Sequence, residues 1–403
     1  MKSFSDYIKK AYELHMSVPV VDSHNDLAGE ILIRKNNGES DIIQRLYLPH
    51  WKAAHFKLIV SSIYVENSVF YPHGPIDDAS IAEPLNWDTC YERQLLNWEQ
   101  GFENARNQIE VLKEEINSCP NELLLVTSAK DMDILANTDK IGILMYMEGL
   151  DCIGTDLSKL DLLYHLGVRG ASLTWSRRNL IATGCCTATR FDEKPGSITD
   201  YGMKILRHMN ELGMFIDISH LNNDGFAKIF DSVKPNSPII ATHSNAFSVY
   251  QNYRNLTDSQ AQLLAFRGGI IGLNACKYIV GCTDISYSDS RRESVYLDAM
   301  CCHIEHLCNL IGSNHVGFGF DLCDSYTVGK LGYNTVADAI CHTTDDKEEP
   351  FIPEDCLTNH KEALLLTARL LERGMAEENV LLIISHNWWN YFHSVVDKET
   401  LHP

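Results

Sequence analysis

The sequence predicts a single α/β domain, a closed (β/α)8 barrel of the TIM type with loop insertions and C-terminal helices. Three observations lead to this prediction: short apolar runs, helical patterns between several of them, and polar side chains where the runs end. We expect residues 1–403 to form this one domain, because no linker, repeat or low-complexity tract divides the chain.

The apolar runs are short and end abruptly in polar residues. Continuous runs of this kind are typical of strands that are buried on both faces, as in parallel sheets. We predict eight strands, at Val18–Val21, Leu58–Tyr64, Ile141–Met147, Gly170–Thr174, Met214–Ser219, Pro238–Thr242, Gly269–Leu273 and Val316–Phe320.

Amphipathic helical patterns lie between several of these strands, as a barrel requires. They cover Asp200–Leu212, Asn223–Val233, Thr257–Phe266 and Arg292–Ile311, and two C-terminal helices are predicted at His360–Glu372 and Glu377–Ile384. Two stretches depart from the repeat. We interpret Asn67–Glu99 as a loop insertion over the barrel mouth, and Ser325–Asp355 as a polar, acidic segment without periodicity.

The composition excludes several classes of protein. The chain has 34 Lys+Arg against 54 Asp+Glu, a net charge of −20, which argues against nucleic acid or an anionic membrane as a partner. No uncharged apolar run reaches the roughly 18 residues of a membrane span. The N-terminal segment carries charges where a signal peptide needs apolar residues, so we expect a cytoplasmic protein. The thirteen cysteines are scattered, and we expect them to be reduced.

The ends of the predicted strands carry histidine and acidic residues. These are His24 and Asp26 after the first run, Glu148 after the third, His220 after the fifth, His243 after the sixth and Asp321 after the eighth. The carboxyl ends of barrel strands meet at one face, where the chemistry of such barrels takes place. One histidine at a strand end is usually structural, but a set of this size predicts a metal centre.

The number of ligands predicts two metal ions. Three imidazoles and several carboxylates exceed the needs of one tetrahedral zinc, whereas two Zn²⁺ or similar divalent ions would use them all. We expect His24 and Asp26 at one ion, His220 and His243 at the other, and Glu148 as the bridge. A hydroxide held between two ions is a nucleophile at neutral pH, so the predicted chemistry is hydrolysis of a carbonyl or phosphoryl substrate.

A longer series of segments carries a resemblance to a known family. The segments are Asp22–Leu27, Met147–Gly149, Leu166–Arg169, Glu211–Gly213, Ile216–His220, His243–Ser244, Ala246–Val249, Arg254–Asn255, Gly268–Gly269, His303–His306 and Val316–Gly319 with Asp321. In order and spacing the chain resembles the membrane (renal) dipeptidases, dinuclear-zinc peptidases with an amidohydrolase-like barrel. The resemblance covers roughly residues 20 to 325.

This resemblance implies roles for further residues. It implies that Arg254 binds the terminal carboxylate of the substrate, and that Asp321 meets its free amino group and is a candidate proton donor. Trp175 stands where renal members have a histidine that contacts the substrate, so it is implicated in substrate choice. An indole N–H donates one hydrogen bond but carries no positive charge.

Three functions remain open from the sequence. The first is a zinc dipeptidase acting on a dipeptide, with a homodimer as the assembly that the family suggests. The second is another amidohydrolase-type metal hydrolase, acting on an N-acyl amino acid, a lactone or a phosphoester. The third is a catalytically silent metal-binding homologue. Arg254 and Asp321 favour the first, because only a zwitterionic substrate would use both residues.

Overall fold

The computed structural model describes residues 2–66, 69, 98–185, 195–235, 237–285, 288–345 and 351–396. The strands in this part of the chain are β1 Val20–Asn25, β2 Phe56–Tyr64, β3 Leu123–Val126, β4 Ile141–Glu148, β5 Val168–Ser172, β6 Phe215–Asp217, β7 Ile239–Ile240, β8 Ile271–Leu273 and β9 Val316–Phe318. Each of the eight predicted strands overlaps one of them, and β3 was not predicted.

Helices alternate with these strands as the barrel prediction requires. They are α1 Phe4–Ser17, α2 Leu27–Asn36, α3 Leu48–Ala53, α4 Trp98–Ser118, α5 Ala129–Ala136, α6 Ser158–His165, α7 Asp200–Leu212, α8 Asn223–Ser232, α9 Asp258–Phe266, α10 Lys277–Val280, α11 Arg292–Ile311, α12 Asp324–Lys330, α13 Val336–Asp345, α14 Ala363–Glu372, α15 Glu377–Leu381 and α16 Asn387–Val396. Shorter turns of 3₁₀ helix occupy Asp151–Ile153, Ser313–His315 and His360–Glu362, and π-helical turns occupy Ile43–Tyr47 and Leu382–His386.

All strand pairs are parallel, in the order β1-β2-β4-β5-β6-β7 with β8-β9 as a second sheet. Backbone hydrogen bonds join the two sheets: Gly272 N donates to Ala241 O at 2.8 Å, and Asp321 N donates to His24 O at 3.3 Å. The parallel sheet therefore curves round until its last strand meets its first. The extra strand β3 pairs with the first half of β4, and β5 pairs with the second half.

Side-chain caps explain where three of the predicted helices begin. Thr199, Asn222 and Thr257 precede α7, α8 and α9, and each side chain accepts a hydrogen bond from the backbone N–H three residues later. Such a cap satisfies one of the free N–H groups of the first helical turn. The predicted bounds of α7 and α11 agree with the structure, and those of α8 and α9 differ by one residue.

The prediction for Ser325–Asp355 was wrong, because this stretch contains most of α12 and all of α13. Both helices are short and bury few apolar residues, among them Val328, Val336 and Ala339, which form a small cluster of their own. Val336, Ala339 and Ile340 follow the helical i, i+3, i+4 spacing, but this pattern is confined to about one turn of a stretch that is otherwise polar. The predicted insertion Asn67–Glu99 lies almost wholly outside the described residues.

The C-terminal helices are confirmed, and one more follows them. Trp388 and Phe392 of α16 stack at 5.3 Å between ring centroids and share a buried cluster with side chains from several barrel strands. Gly317 of β9 allows this packing, since a Cβ there would lie 2.1 Å from Trp388 Nε1.

Within the described residues no helix combines the length and the apolar character that crossing a membrane demands.

One buried histidine ties α11 to the loops of the barrel. His303 Nδ1 accepts a hydrogen bond from Ala246 N at 3.2 Å, and its Nε2 lies 3.0 Å from Val280 O, to which it can donate. These two bonds suit only the neutral ring, because a second ring proton would face the N–H of Ala246. Burial lowers the pKa of His303 to about 4.

We predict that this histidine makes the fold acid-sensitive. Unfolded His303 takes up a proton near pH 6.5 and folded His303 only near pH 4, so between these values the unfolded state binds more protons. Neutral His303 therefore contributes about 3 kcal/mol to the free energy of unfolding above pH 6.5. This contribution is lost as the pH falls to 4. Urea unfolding of wild type and His303→Gln across this range should show a shallower pH dependence in the variant. The control is His393→Gln, at a histidine whose side chain is 38% exposed. Equal slopes for wild type and His303→Gln would contradict the prediction.

Candidate functional site

The structure brings all six predicted strand-end residues to one end of the barrel. His24 lies within β1 with Asp26 directly after it, and Glu148 is the last residue of β4. The other three residues each lie three positions after the end of a strand: His220 after β6, His243 after β7 and Asp321 after β9. His24 and His243 are fully buried and Glu148 is 3% exposed, so their polar atoms face one another rather than solvent.

Glu148 lies between two groups of side chains. Its Oε1 is 2.9 Å from His220 Nε2 and 3.5 Å from His243 Nε2, whereas its Oε2 is 3.6 Å from His24 Nε2. Potential ligand atoms of Glu148, His220 and His243 lie within 4.8 Å of one another, as do those of His24, Asp26 and Glu148. One carboxylate that presents its two oxygens to two groups has the form of a metal bridge.

The surroundings of His24 Nε2 show whether these residues suit a metal ion. Its Nε2 is buried and has no hydrogen-bond partner within the described part of the chain. Yet this atom lies 3.6 Å from Asp26 Oδ1 and 3.3 Å from Asp321 Oδ1. A buried nitrogen that is surrounded by carboxylates but bonded to none of them fits a ligand of a cation held between them.

The electrostatics of the site also favour a cation. Burial lowers the pKa of His24, but the carboxylates of Glu148 and Asp321 outweigh burial and raise it to about 10. Burial likewise raises the pKa of Glu148 well above its usual range. His243 differs, since burial and the neighbouring positive groups lower its pKa well below the ordinary value, so its ring is neutral. The centre thus places carboxylates, whose charged form burial disfavours, next to a neutral imidazole, and a divalent ion bound to these groups would stabilise the charged carboxylates.

A buried hydrogen-bond chain fixes the orientation of His243. Asp217 Oδ2 accepts a bond from the Thr242 hydroxyl at 2.7 Å, and Thr242 Oγ1 lies 2.7 Å from His243 Nδ1. Because the hydroxyl proton points to Asp217, Thr242 Oγ1 accepts from Nδ1–H, and the lone pair of Nε2 faces the centre. A carboxylate that orients a ligand in this way is common around protein-bound metals.

The other two histidines have similar supports. Ser176 Oγ lies 2.9 Å from His220 Nδ1, and Tyr146 Oη lies 2.5 Å from His24 Nδ1. The roles of Asp217, Thr242, Ser176 and Tyr146 were not predicted from the sequence. A signal was present for two of them, because Tyr146 shares a strand face with Glu148 and Thr242 directly precedes His243.

The two residues implicated at the substrate ends contact different histidines of the centre. Arg254 Nη2 is 3.3 Å from His220 Nε2, and the guanidinium also donates to the carbonyl oxygens of Ser219 and His243. Five N–H donors are present on a guanidinium, so capacity remains for a carboxylate. Asp321 lies beside His24, and its Oδ2 accepts a bond from Asn274 Nδ2 at 2.8 Å.

Asp321 has a second neighbour that the sequence analysis did not anticipate. Cys323 Sγ lies 3.4 Å from Asp321 Oδ1 and 3.6 Å from Asp26 Oδ2, and these three residues form a further group of potential ligand atoms, beside one of His24, His243 and Asp321. Asp321 itself has a φ of 57°, a left-handed conformation that is uncommon outside glycine. The backbone here turns sharply, which directs the Asp321 carboxylate back toward His24.

Trp175 follows β5 by three residues and is half-buried at the same end of the barrel. Its ring lies 5.7 Å from that of His220 and 5.3 Å from that of Tyr64, measured between centroids. The structure therefore puts Trp175 beside the centre, where the sequence analysis expected a residue that contacts the substrate.

Comparison with known proteins agrees with this geometry. The chain is 31% identical over 242 residues to an uncharacterized dipeptidase of Schizosaccharomyces pombe. The aligned region covers 58% of this chain and 55% of that protein. It is 30% identical over 234 residues to dipeptidase aclJ of Aspergillus oryzae, covering 57% of this chain and 52% of that protein. The matches thus span about half the length of these two curated relatives.

The fold recurs in solved structures. A metallopeptidase from Rhodobacter sphaeroides, solved with a phosphinate mimic of the dipeptide L-Ala-D-Ala, superposes with a TM-score of 0.71 at 23% identity, covering 93% of this chain and 98% of that one. The sequence profile of the membrane dipeptidases, peptidase family M19, matches residues 8–340. This match covers most of the chain and agrees with the barrel and with the His and acidic residues at its strand ends, so the chain belongs to the membrane dipeptidase family.

Proposed function

We propose that the protein is a metal-dependent dipeptidase that hydrolyses the peptide bond of short zwitterionic peptides and holds two zinc ions. The observation that carries this proposal is the placement of Glu148 between two groups of potential ligand atoms, with Arg254 next to His220 and Asp321 next to His24. Membership of a peptidase family supports a peptide substrate. The dipeptide mimic bound by the Rhodobacter metallopeptidase supports the size of that substrate.

Five residues would hold the metal. His24, Asp26 and Glu148 form one group of potential ligands, and Glu148, His220 and His243 form the other. Bound divalent ions supply Lewis acidity, which lowers the pKa of water to near 7 and polarises the scissile carbonyl. The chain positions the ligands through Ser176, Thr242 and Tyr146, and it limits access of bulk water because most of these ligands are buried.

Arg254 and Asp321 would bind the two ends of the substrate. A guanidinium offers a planar set of donors that suits a carboxylate, and Arg254 is 2% exposed, so a bond made there is little weakened by solvent. Asp321 can accept hydrogen bonds from an ammonium group. It is also suited to pass a proton to the leaving amine, since burial raises its pKa above the ordinary value.

We also propose that residues 1–403 act as one domain. Helices from both ends of the described chain are in contact: His15 Nε2 of α1 lies 2.9 Å from Thr367 Oγ1 of α14. The barrel closes between β1 and β9, which are also distant in sequence.

A cytoplasmic location and a homodimer stay predictions. Cell fractionation would test the location, and the mass of the protein in solution would test the homodimer.

The first prediction from this proposal concerns metal content. Wild type should contain two zinc ions per chain, and Glu148→Ala should lose both or retain less than one, because it removes the proposed bridge. Thr242→Val is the matched comparison: it keeps every ligand but removes the hydroxyl that orients His243, so affinity should fall by about 10–100-fold with the stoichiometry unchanged at saturating zinc. Elemental analysis and competition with a chelator measure both. A Glu148→Ala protein with two bound ions would contradict the dinuclear site.

The second prediction concerns the substrate ends. An N-acetyl dipeptide and a dipeptide amide should each be cleaved about 30-fold or more slowly than the free dipeptide, because each leaves a buried charged residue unpaired. Arg254→Met should act mainly on KM, and Asp321→Asn should show the larger loss of kcat. Metal content of both variants is the control. Equal rates for the free and the N-acetylated peptide would instead favour the broader amidohydrolase-type hydrolases.

A further inference from the structure

Two half-buried aromatic side chains form a surface beside the candidate centre, which we call the aromatic wall. It consists of Tyr64, the last residue of β2, and Trp175, which follows β5. The ring centroids lie 5.3 Å apart with their planes at 44°. Both residues lie at the end of the barrel that carries the metal ligands, so their accessible parts border the substrate space.

A buried ion pair supports the aromatic wall from within. The Arg177 guanidinium lies over both rings, 5.5 Å from the Tyr64 centroid and 5.7 Å from that of Trp175. Arg177 Nε donates to Asp151 Oδ1 at 2.9 Å, and Nη2 donates to Val65 O at 2.9 Å. Arg177 is 1% exposed and Asp151 is 5% exposed. A desolvated cation held against two ring faces attracts both rings and limits their movement.

The segment that carries Trp175 folds back on itself tightly. Gly184 N donates to Arg177 O at 3.1 Å, and a Cβ at Gly184 would lie 2.0 Å from Trp175 O, so only glycine fits there. The Asn179 side chain accepts bonds from Ile181 N at 2.8 Å and from Ala182 N at 2.9 Å inside the same loop. The aromatic wall therefore rests on a loop of fixed conformation.

The contacts of Trp175 assign the aromatic wall to one end of the substrate. Its ring packs on His220, at 5.7 Å between centroids, and His220 Nε2 lies 3.3 Å from Arg254 Nη2. Asp321 instead contacts His24. The aromatic wall is thus on the Arg254 side, where the proposed function has the substrate carboxylate.

We propose that the aromatic wall binds the side chain of the C-terminal residue of the dipeptide and selects large apolar side chains there, with Arg177 as a positioning residue. This inference rests on the proposed function. Ring faces and edges gain contact with an apolar side chain, whereas glycine offers none. An acidic or basic side chain would lose hydration against the rings, and a basic one would also approach the Arg177 cation.

Two series of dipeptides test the inference on the metal-loaded enzyme. In Ala-X the C-terminal residue varies and in X-Ala the N-terminal residue varies, with X as Gly, Leu, Phe, Glu or Lys. Wild type should cleave Ala-Leu and Ala-Phe with kcat/KM at least about tenfold above Ala-Gly, because a hydrophobic subsite discriminates by this order. The readout is the ratio of two substrates on one preparation, so the fraction of active enzyme cancels.

Variants then distinguish a specific effect of the aromatic wall on substrate choice from a general loss of stability. Tyr64→Ser, Trp175→Ser and Arg177→Met should each lower the Ala-Leu to Ala-Gly ratio by several-fold, and the order within X-Ala should persist. Arg177→Lys keeps the charge and should retain part of the ratio. The control Arg34→Met breaks another buried ion pair, with Glu30 at 2.5 Å on α2, and should leave the ratio unchanged.

The outcomes distinguish this inference from the proposed function. Wild type that cleaves dipeptides without discriminating within Ala-X, or variants that change only X-Ala, would overturn the inference and leave the dipeptidase intact. Metal-loaded wild type that cleaves no dipeptide in either series would overturn both. If Arg177→Met does not fold, Tyr64→Ser and Trp175→Ser decide the matter.

Discussion

The accumulation of negative charge in a buried barrel mouth is the constraint on which the rest of this site depends. Carboxylates of Asp26, Glu148 and Asp321 surround a fully buried imidazole, that of His24. Burial disfavours the charged form of a carboxylate, and it raises the pKa of Glu148 and of Asp321. A divalent ion between the groups on either side of Glu148 would stabilise the charged carboxylates, which is the physical basis of the proposed metal centre.

The barrel interior is built to hold this centre rigidly. Gly272 of β8 and Gly319, which directly follows β9, let the backbone of Thr242 come close, since a Cβ at these positions would lie 1.9 and 1.8 Å from Thr242 O. The Ser23 hydroxyl donates to the same carbonyl at 2.7 Å. Thr242 then links Asp217 to His243. Close packing of the strands thus sets the direction of a ligand that lies beyond their ends, as precise metal binding requires.

The site is also asymmetric in a way that gives a substrate direction. Arg254 lies beside His220 and Asp321 lies beside His24, and these two histidines contact different oxygens of Glu148. In the proposed function this asymmetry orients a zwitterion with its carboxylate toward Arg254. The aromatic wall of Tyr64 and Trp175 adds an apolar surface on the arginine side, so charge would set the orientation of the peptide and packing its side-chain preference.

The sequence by itself determined the barrel and six of the residues at its mouth, because buried parallel strands leave apolar runs and the barrel places their ends together. It did not determine the strand β3, which is short and only partly buried, or the helices α12 and α13, which are short and lie in a polar, acidic stretch. Only the tertiary structure showed Glu148 between two ligand groups, Asp217 acting through Thr242, and Arg177 beneath the two rings. These relations join residues from different strands and loops, and distances across a barrel are fixed by packing rather than by local sequence pattern.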